Sequence, residues 1–230
     1  GVIGRVDDLI ENKTTLLQTI DQLLWMLFLK YDQREKTYRI GDLGFYISDF
    51  VSNGSFASLK ENTEILEVPD YAYFIRNTDL KSGSFDRYVS KQTFDFLKKS
   101  SLQGNEILVS NVGDVGSVYL CPLLDKPMTI GNNMILMTRS NHDENYYFYM
   151  LLRSNYGQQV LRGITAGSAQ QKFNKTDLKA SQISISSIQN IKRFNHSAKA
   201  LITDVNKLRA QIRWLQSLKN TLLKEYFPTR

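Results

Sequence analysis

Apolar side chains recur at alternating spacings of three and four at both ends of the chain, with short, broken apolar runs between them. At the C-terminal end Ile191, Phe194, Ala198, Leu201, Val205, Leu208, Ile212, Leu215, Lys219 and Leu222 form a heptad seam uninterrupted by Gly or Pro before Pro228. The spacing predicts a coiled-coil helix about 50 to 60 Å long, and a seam of that length needs a partner helix. Near the N-terminus Leu9, Leu16, Ile20, Leu23 and Leu27 repeat the spacing, and Asp7, Asp8 and Glu11 sit in the first turns, where the helix dipole favours acids. A second amphipathic helix is therefore expected to end near Tyr31.

The middle of the chain carries a different pattern. Apolar runs broken by Gly, Asn, Asp and Ser predict strands at 64–68, 72–75, 106–109, 117–120, 133–137 and 182–186, and helices at 91–98 and 145–153. No low-complexity linker divides this stretch. The expected class is α+β: one mixed module over 33–187, held between an N-terminal helix at 1–32 and a coiled-coil helix at 188–230.

Of the 230 residues, 42% are hydrophobic and 11% aromatic, enough for one well-packed core. The longest apolar run, 23–29, is bounded by Asp21 and Lys30 and is too short to cross a membrane. The N-terminus lacks a signal-peptide pattern, and the lone Cys121 excludes an internal disulfide and a Cys-based zinc site, so a cytoplasmic protein is expected. The net charge of +6 is unevenly placed. Residues 190–230 hold nine bases against two acids, whereas 1–189 are nearly balanced. A basic helix of this kind points to a polyanion, nucleic acid before membrane; the alternative is a solvated face that keeps the helix in solution.

Catalytic chemistry finds little support. The chain has no phosphate-binding loop of the G-x-x-x-x-G-K-[ST] type, no H-E-x-x-H and no G-x-S-x-G. Gly113-Asp114-Val115-Gly116 reads as a tight β-turn. His142 and His196 lie in separate segments without acidic or Cys partners at ligand spacing, so neither a metal site nor a catalytic centre is expected. Two loops carry the positive signal. Residues 166–178 gather Gln, Asn, Ser, Thr and Lys. Amides pair bidentately with adenine, hydroxyls bond base edges or phosphate, and Lys neutralises phosphate. The same residues admit a second role, with Asn174 or Thr176 capping a short helix. The loop at 51–62 turns at Asn53-Gly54 and carries Lys60 beyond it.

Taken in order, "NGSFASLKEN" (53–62), "EILVSNVGDVGSVYLCP" (106–122) and "GSAQQKFNKTDL" (167–178) resemble successive motifs of the target-recognition domain in DNA specificity subunits of type I restriction-modification systems. Residues 6–12 leading to 23–32, and residues 188–227, are similar to the helices that precede and follow that domain. The resemblance implies a non-catalytic subunit that reads one half of a split double-stranded DNA target and recruits methyltransferase and restriction subunits. S-adenosylmethionine, ATP and Mg would then belong to the partners, and this chain would hold no cofactor. Family members carry two recognition domains. Either two copies of this chain pair through antiparallel helices, or the chain is half of a longer polypeptide. Residues 183–194 depart from the family in lacking the proline-rich and Glu-Gln elements of the domain-to-helix junction.

Residue assignments follow from the loops and the resemblance together. Ser55, Ser58 and Lys60 match the first motif, Asn111 the middle one, and Ser168, Gln170, Gln171, Lys172, Asn174 and Lys175 the third. Gln170, Gln171 and Asn174 are assigned to bases and Lys60, Lys172 and Lys175 to phosphates, because only the amides both donate and accept. Arg76 and Arg139 are further candidates at strand ends, where a plain surface charge is the alternative. Leu16, Ile20, Leu23, Leu27, Leu201, Val205, Leu208, Ile212, Leu215 and Leu222 are assigned to a partner helix. The competing reading is a coiled-coil adaptor whose head binds protein and never reads DNA.

Overall fold

The computed structural model describes residues 1–167 and 171–226. In chain order the elements are α1 (Val2–Tyr31), β1 (Lys36–Arg39), β2 (Tyr46–Asp49), α2 (Phe56–Asn62), β3 (Ala72–Ile75), α3 (Asn77–Ser82), β4 (Tyr88–Val89), α4 (Lys91–Phe96), β5 (Ser101–Leu102), β6 (Ile107–Ser110), β7 (Val118–Leu120), β8 (Met128–Ile130), β9 (Met134–Thr138), α5 (Asn145–Arg153), α6 (Asn155–Gly163), α7 (Lys175–Ala180), β10 (Gln182–Ile185) and α8 (Ile188–Tyr226).

The partner that the C-terminal seam requires comes from the same chain. Helices α1 and α8 pack antiparallel: the Phe28 and Phe194 rings lie 6.0 Å apart near the domain, Lys13 Nζ donates to Gln211 Oε1 at 2.7 Å further out, and Lys219 pairs with Asp7 at 2.6 Å near the far end. Ile20, Leu24 and Phe28 of α1 are buried, as are Phe194, Ala198, Ile202, Val205, Leu208 and Leu215 of α8. Ile202 occupies the core place expected of Leu201, which is half-buried. This stretch packs on α5 as well as on α1, so its buried face is wider than a two-helix seam. Leu27, Ile212 and Leu222 are half-buried, whereas Leu16 and Leu23 remain 47% and 44% exposed.

Two four-stranded sheets form the body. One has the order β2-β9-β6-β7 and is antiparallel throughout; the other has the order β4-β3-β8-β5, with β3 and β8 parallel. The first sheet is covered on both faces. Ile107, Val109, Ile135 and Met137 enter the core shared with α1, α5 and α8, whereas Leu108, Met134 and Leu136 join Ile75, Met128 and Ile130 of the second sheet. Double coverage explains why β6 and β9 read as continuous apolar runs. Strands β1 and β10 pair separately, Lys36 opposite Ile185 and Arg39 opposite Gln182, and so tie together the two places where the chain crosses between stem and body.

The strand expected at 64–68 does not form. Leu66 makes a single bridge to Tyr88, while Ile65 and Val68 are exposed, because β4 offers only two residues to pair with and Pro69 has no N–H to donate. The expected turn at Gly113 to Gly116 is present, with both glycines at positive φ and the Gly116 N–H on the Ser110 carbonyl.

Candidate nucleic-acid interface

Antiparallel pairing brings the C-terminal ends of β2 and β6 and the N-terminal ends of β7 and β9 to the same side of the first sheet. The three motifs recognised in the sequence therefore meet there. Asn111 is the tie: its N–H donates to the Asn133 carbonyl at 3.1 Å, its carbonyl accepts from Phe173 N at 3.1 Å, and its side-chain Nδ2 donates to the Phe173 carbonyl at 2.8 Å. Lys172 bridges Ala166 on one side and Val112 on the other, so the segment ending in Phe173 extends the sheet end as a minimal ladder. Asn111 Oδ1 has no partner among the described residues.

A groove of about 530 Å³ opens beside this ladder, its lining including Phe50, Phe56, Leu59 and Lys60 together with Asn111, Asn132, Asn133 and Met134. A smaller cleft, about 190 Å³, lies on the far side of the ladder between Gly116, Gln158, Arg162, Thr165 and Gln171. Lys60, Arg162, Gln171 and Lys172 are exposed, and among the described residues none of the three cations has an ion-pair partner.

The other assigned residues make contacts within the chain. Ser55 caps α2 by accepting from Ser58 N at 3.2 Å. Asn174 caps α7, its Oδ1 accepting from Asp177 N at 2.9 Å, so the capping role left open in the sequence is the one adopted here. Lys175 is turned inward onto Asp49 at 3.1 Å and onto Ser52. Arg76 is held between Asp79 and Asp86, and those carboxylates raise its pKa further. Arg139 lies at the opposite end of β9, paired with Glu144 at 2.7 Å and close to the Phe45 and Phe148 rings. Ser168 and Gln170 lie outside the described residues.

The sequence reading missed four residues at this end. Phe56 is 84% exposed and Val51 63%, while Asn132 and Asn133 form an exposed turn with Asn133 at φ 66°. Gly131-Asn132-Asn133 is a turn signal in its own right, since Asn tolerates left-handed backbone. The exposure of Phe56 could not be read from a sequence in which most aromatics are core.

Four of the eight Lys and Arg side chains of α8 find a partner within the described residues. Lys199 pairs with Asp143, Lys207 with Asp204 and Lys219 with Asp7, and Arg213 donates to the Leu123 carbonyl. Burial, with Arg209 nearby, pushes the Arg213 pKa down. Lys192, Arg193 and Lys224 remain exposed. Among the described residues there is no group of three His, Cys, Asp or Glu placed to hold a metal ion, and no helix is long and apolar enough to cross a membrane.

A solved structure shares the architecture. The type I restriction-modification S subunit from M. genitalium superposes with a TM-score of 0.59 at 16% identity over 100% of this chain and 59% of its own length. The HsdS subunit from Thermoanaerobacter tengcongensis gives 0.45 at 14% identity, covering 98% of this chain and 55% of that one. A chain from a study of complex assembly and conformational transition in the type I R-M system gives 0.49 at 12%, covering 97% and 55%. The present chain thus spans little more than half the length of these subunits. No curated protein sequence matches it. The family model for the type I restriction modification DNA specificity domain matches residues 35–212, and the chain belongs to that family.

Proposed function

We propose that the chain is a sequence-specific, double-stranded-DNA recognition subunit without catalysis of its own, reading one half of a bipartite target in a type I restriction-modification complex. Residues 33–187 act as the recognition domain and the helices at 1–32 and 188–230 as the stem. The observation that carries the reading is the meeting of three separate motifs at one sheet end, in a rim of amides and cations that, among the described residues, are unpaired and have no cluster of acids beside them. Lys60, Lys172 and Arg162 would bear on phosphates, and Gln171 on base edges. Chemistry, with S-adenosylmethionine, ATP and Mg, would belong to methyltransferase and restriction subunits.

The stem supports a role in recruitment. Val2, Leu9, Leu16 and Leu23 follow one another at heptad spacing on α1 and are all at least 44% exposed, a stripe that α8 leaves open. A second specificity half and the methyltransferase are the partners such a stripe suits, and both act in the cytoplasm.

Equilibrium binding tests the DNA reading. A duplex selected by the chain should outcompete its scrambled version by at least about a thousandfold at physiological salt. Binding that is weak, indifferent to sequence and abolished by moderate salt would favour the coiled-coil adaptor instead.

A further inference from the structure

The groove beside Asn111 has an unusual lip. Phe56 opens a seven-residue helix whose Leu59 is buried and whose start is capped by Ser55, so the backbone beneath the ring is fixed while the ring itself is 84% exposed. Val51 and Ile65 flank it at 63% and 44% exposure. An aromatic ring left in water on a fixed mount gains nothing for folding; it makes an apolar surface available to something outside.

The chemistry of the groove narrows what that is. Among the described residues its lining holds one carboxylate, Asp49, and Lys175 neutralises it at 3.1 Å. The remaining charge is that of Lys60, and the exposed Asn132 and Asn133 also line the groove. Among the described residues, one unneutralised cation, an exposed ring and two exposed amides suit an occupant that is anionic and presents an apolar group beside hydrogen-bonding edges. In the major groove an A·T pair does this: thymine projects its 5-methyl group next to the N6 donor and N7 acceptor of adenine, whereas a G·C pair carries no methyl.

We propose that this groove reads an A·T pair from the major groove, with Phe56 against the thymine 5-methyl group and the Asn132–Asn133 turn on the adenine edge. The inference rests on the DNA reading above and assigns specificity to Phe56, which lies in the first motif but was not among its assigned contacts, and to the Asn132–Asn133 turn outside all three motifs.

The test uses the intact chain to select duplexes from a randomised pool, followed by replacement of each thymine of the consensus with uracil, which lacks only the methyl group. At one thymine the replacement should weaken binding about fourfold, the worth of one buried methyl. Phe56→Ala should bind the thymine duplex correspondingly less well and no longer distinguish thymine from uracil. Asn133→Gly, which keeps the left-handed backbone, should relax the preference for adenine at that pair and leave the thymine-to-uracil ratio unchanged. A half-site with no A·T pair, tolerance of uracil everywhere, or an unchanged ratio in Phe56→Ala would overturn the proposal while leaving DNA reading intact. Loss of methyltransferase binding in Phe56→Ala, with DNA preference unchanged, would make the ring a protein contact and overturn it likewise. Selection of no consensus would overturn both.

Discussion

Tyr147 donates its hydroxyl hydrogen to Asp32 Oδ1 at 2.8 Å and so joins α5 to the residue on which α1 ends. The same oxygen accepts from Ser186 N at 3.1 Å, while Ser186 Oγ accepts from Gln33 N and donates to the Tyr31 carbonyl. Both crossings between stem and body thus converge on one buried phenol. The clamp stands where the family resemblance leads one to expect proline-rich and Glu-Gln elements, and together with the β1–β10 pair it explains how residues 183–194 form a junction without them.

Tyr147→Phe should lower the unfolding free energy by about 1 to 3 kcal/mol, because the Ser186 N–H loses its acceptor and Asp32 Oδ1 loses the phenol that donates to it, leaving Asp32 with Arg34 alone among the described residues. Burial, ahead of the nearby Asp32 charge, raises the Tyr147 pKa above its ordinary value of 10.0. The sign follows: the folded state keeps the proton that the unfolded state releases, so the contribution is complete below that value and is lost as the pH rises above it. Urea melts of both proteins across this range should show a shallower alkaline decline in the variant.

Phe28→Ala should destabilise the chain by about 3 to 5 kcal/mol, since the ring is buried against Phe194 and Tyr147. Leu16→Ala and Leu23→Ala should change the unfolding free energy by no more than about 0.5 kcal/mol, read from urea melts. If the exposed stripe on α1 recruits partners, the same two substitutions should weaken assembly with the methyltransferase, as measured by sedimentation.

Lysines at the loop end should separate by their surroundings. Lys60→Ala and Lys172→Ala should each reduce the salt dependence of DNA binding by about 0.9 in the logarithmic slope, uniformly over sequence. Lys175→Ala should leave that slope unchanged and lower stability, because its ammonium is engaged with Asp49. Gln171→Ala should alter sequence preference by about 1 to 3 kcal/mol at one base pair and leave the slope alone.

At the stem, Lys199 reaches Asp143 at 2.6 Å and the Tyr146 hydroxyl reaches it at 2.9 Å. Burial alone would raise the Asp143 carboxyl, but these partners outweigh it and hold its pKa below the ordinary 3.8. A depressed carboxyl stabilises the fold above that value, and the contribution is lost as the pH falls through its lower folded value. Lys199→Met should therefore be less stable than the parent near neutrality and nearly equal to it in strong acid, read from urea midpoints.

Long, strongly periodic or fully buried elements were legible in the sequence. The two stem helices, β3 at 72–75 and α5 at 145–153 fall where their patterns place them. Short elements were legible only in part: α4 and β7 were expected, but α2, α3 and α7 of six or seven residues complete too few turns to show a period, and β8 is three residues long. At the loop end the motifs located the segments but not the side chains. The Asn174 cap is local, with Asp177 three residues on, and was one of the two roles its loop offered; Lys175 turns inward onto Asp49, 126 residues away, and no local pattern carries that information.

The most direct test of the central claim is a map of adenine methylation in DNA from cells expressing this chain with its cognate methyltransferase, compared with cells lacking the chain. The account expects methylation of a short interrupted motif that disappears without the chain, palindromic if two copies form the complete reader. The same methylation in the absence of the chain would contradict it.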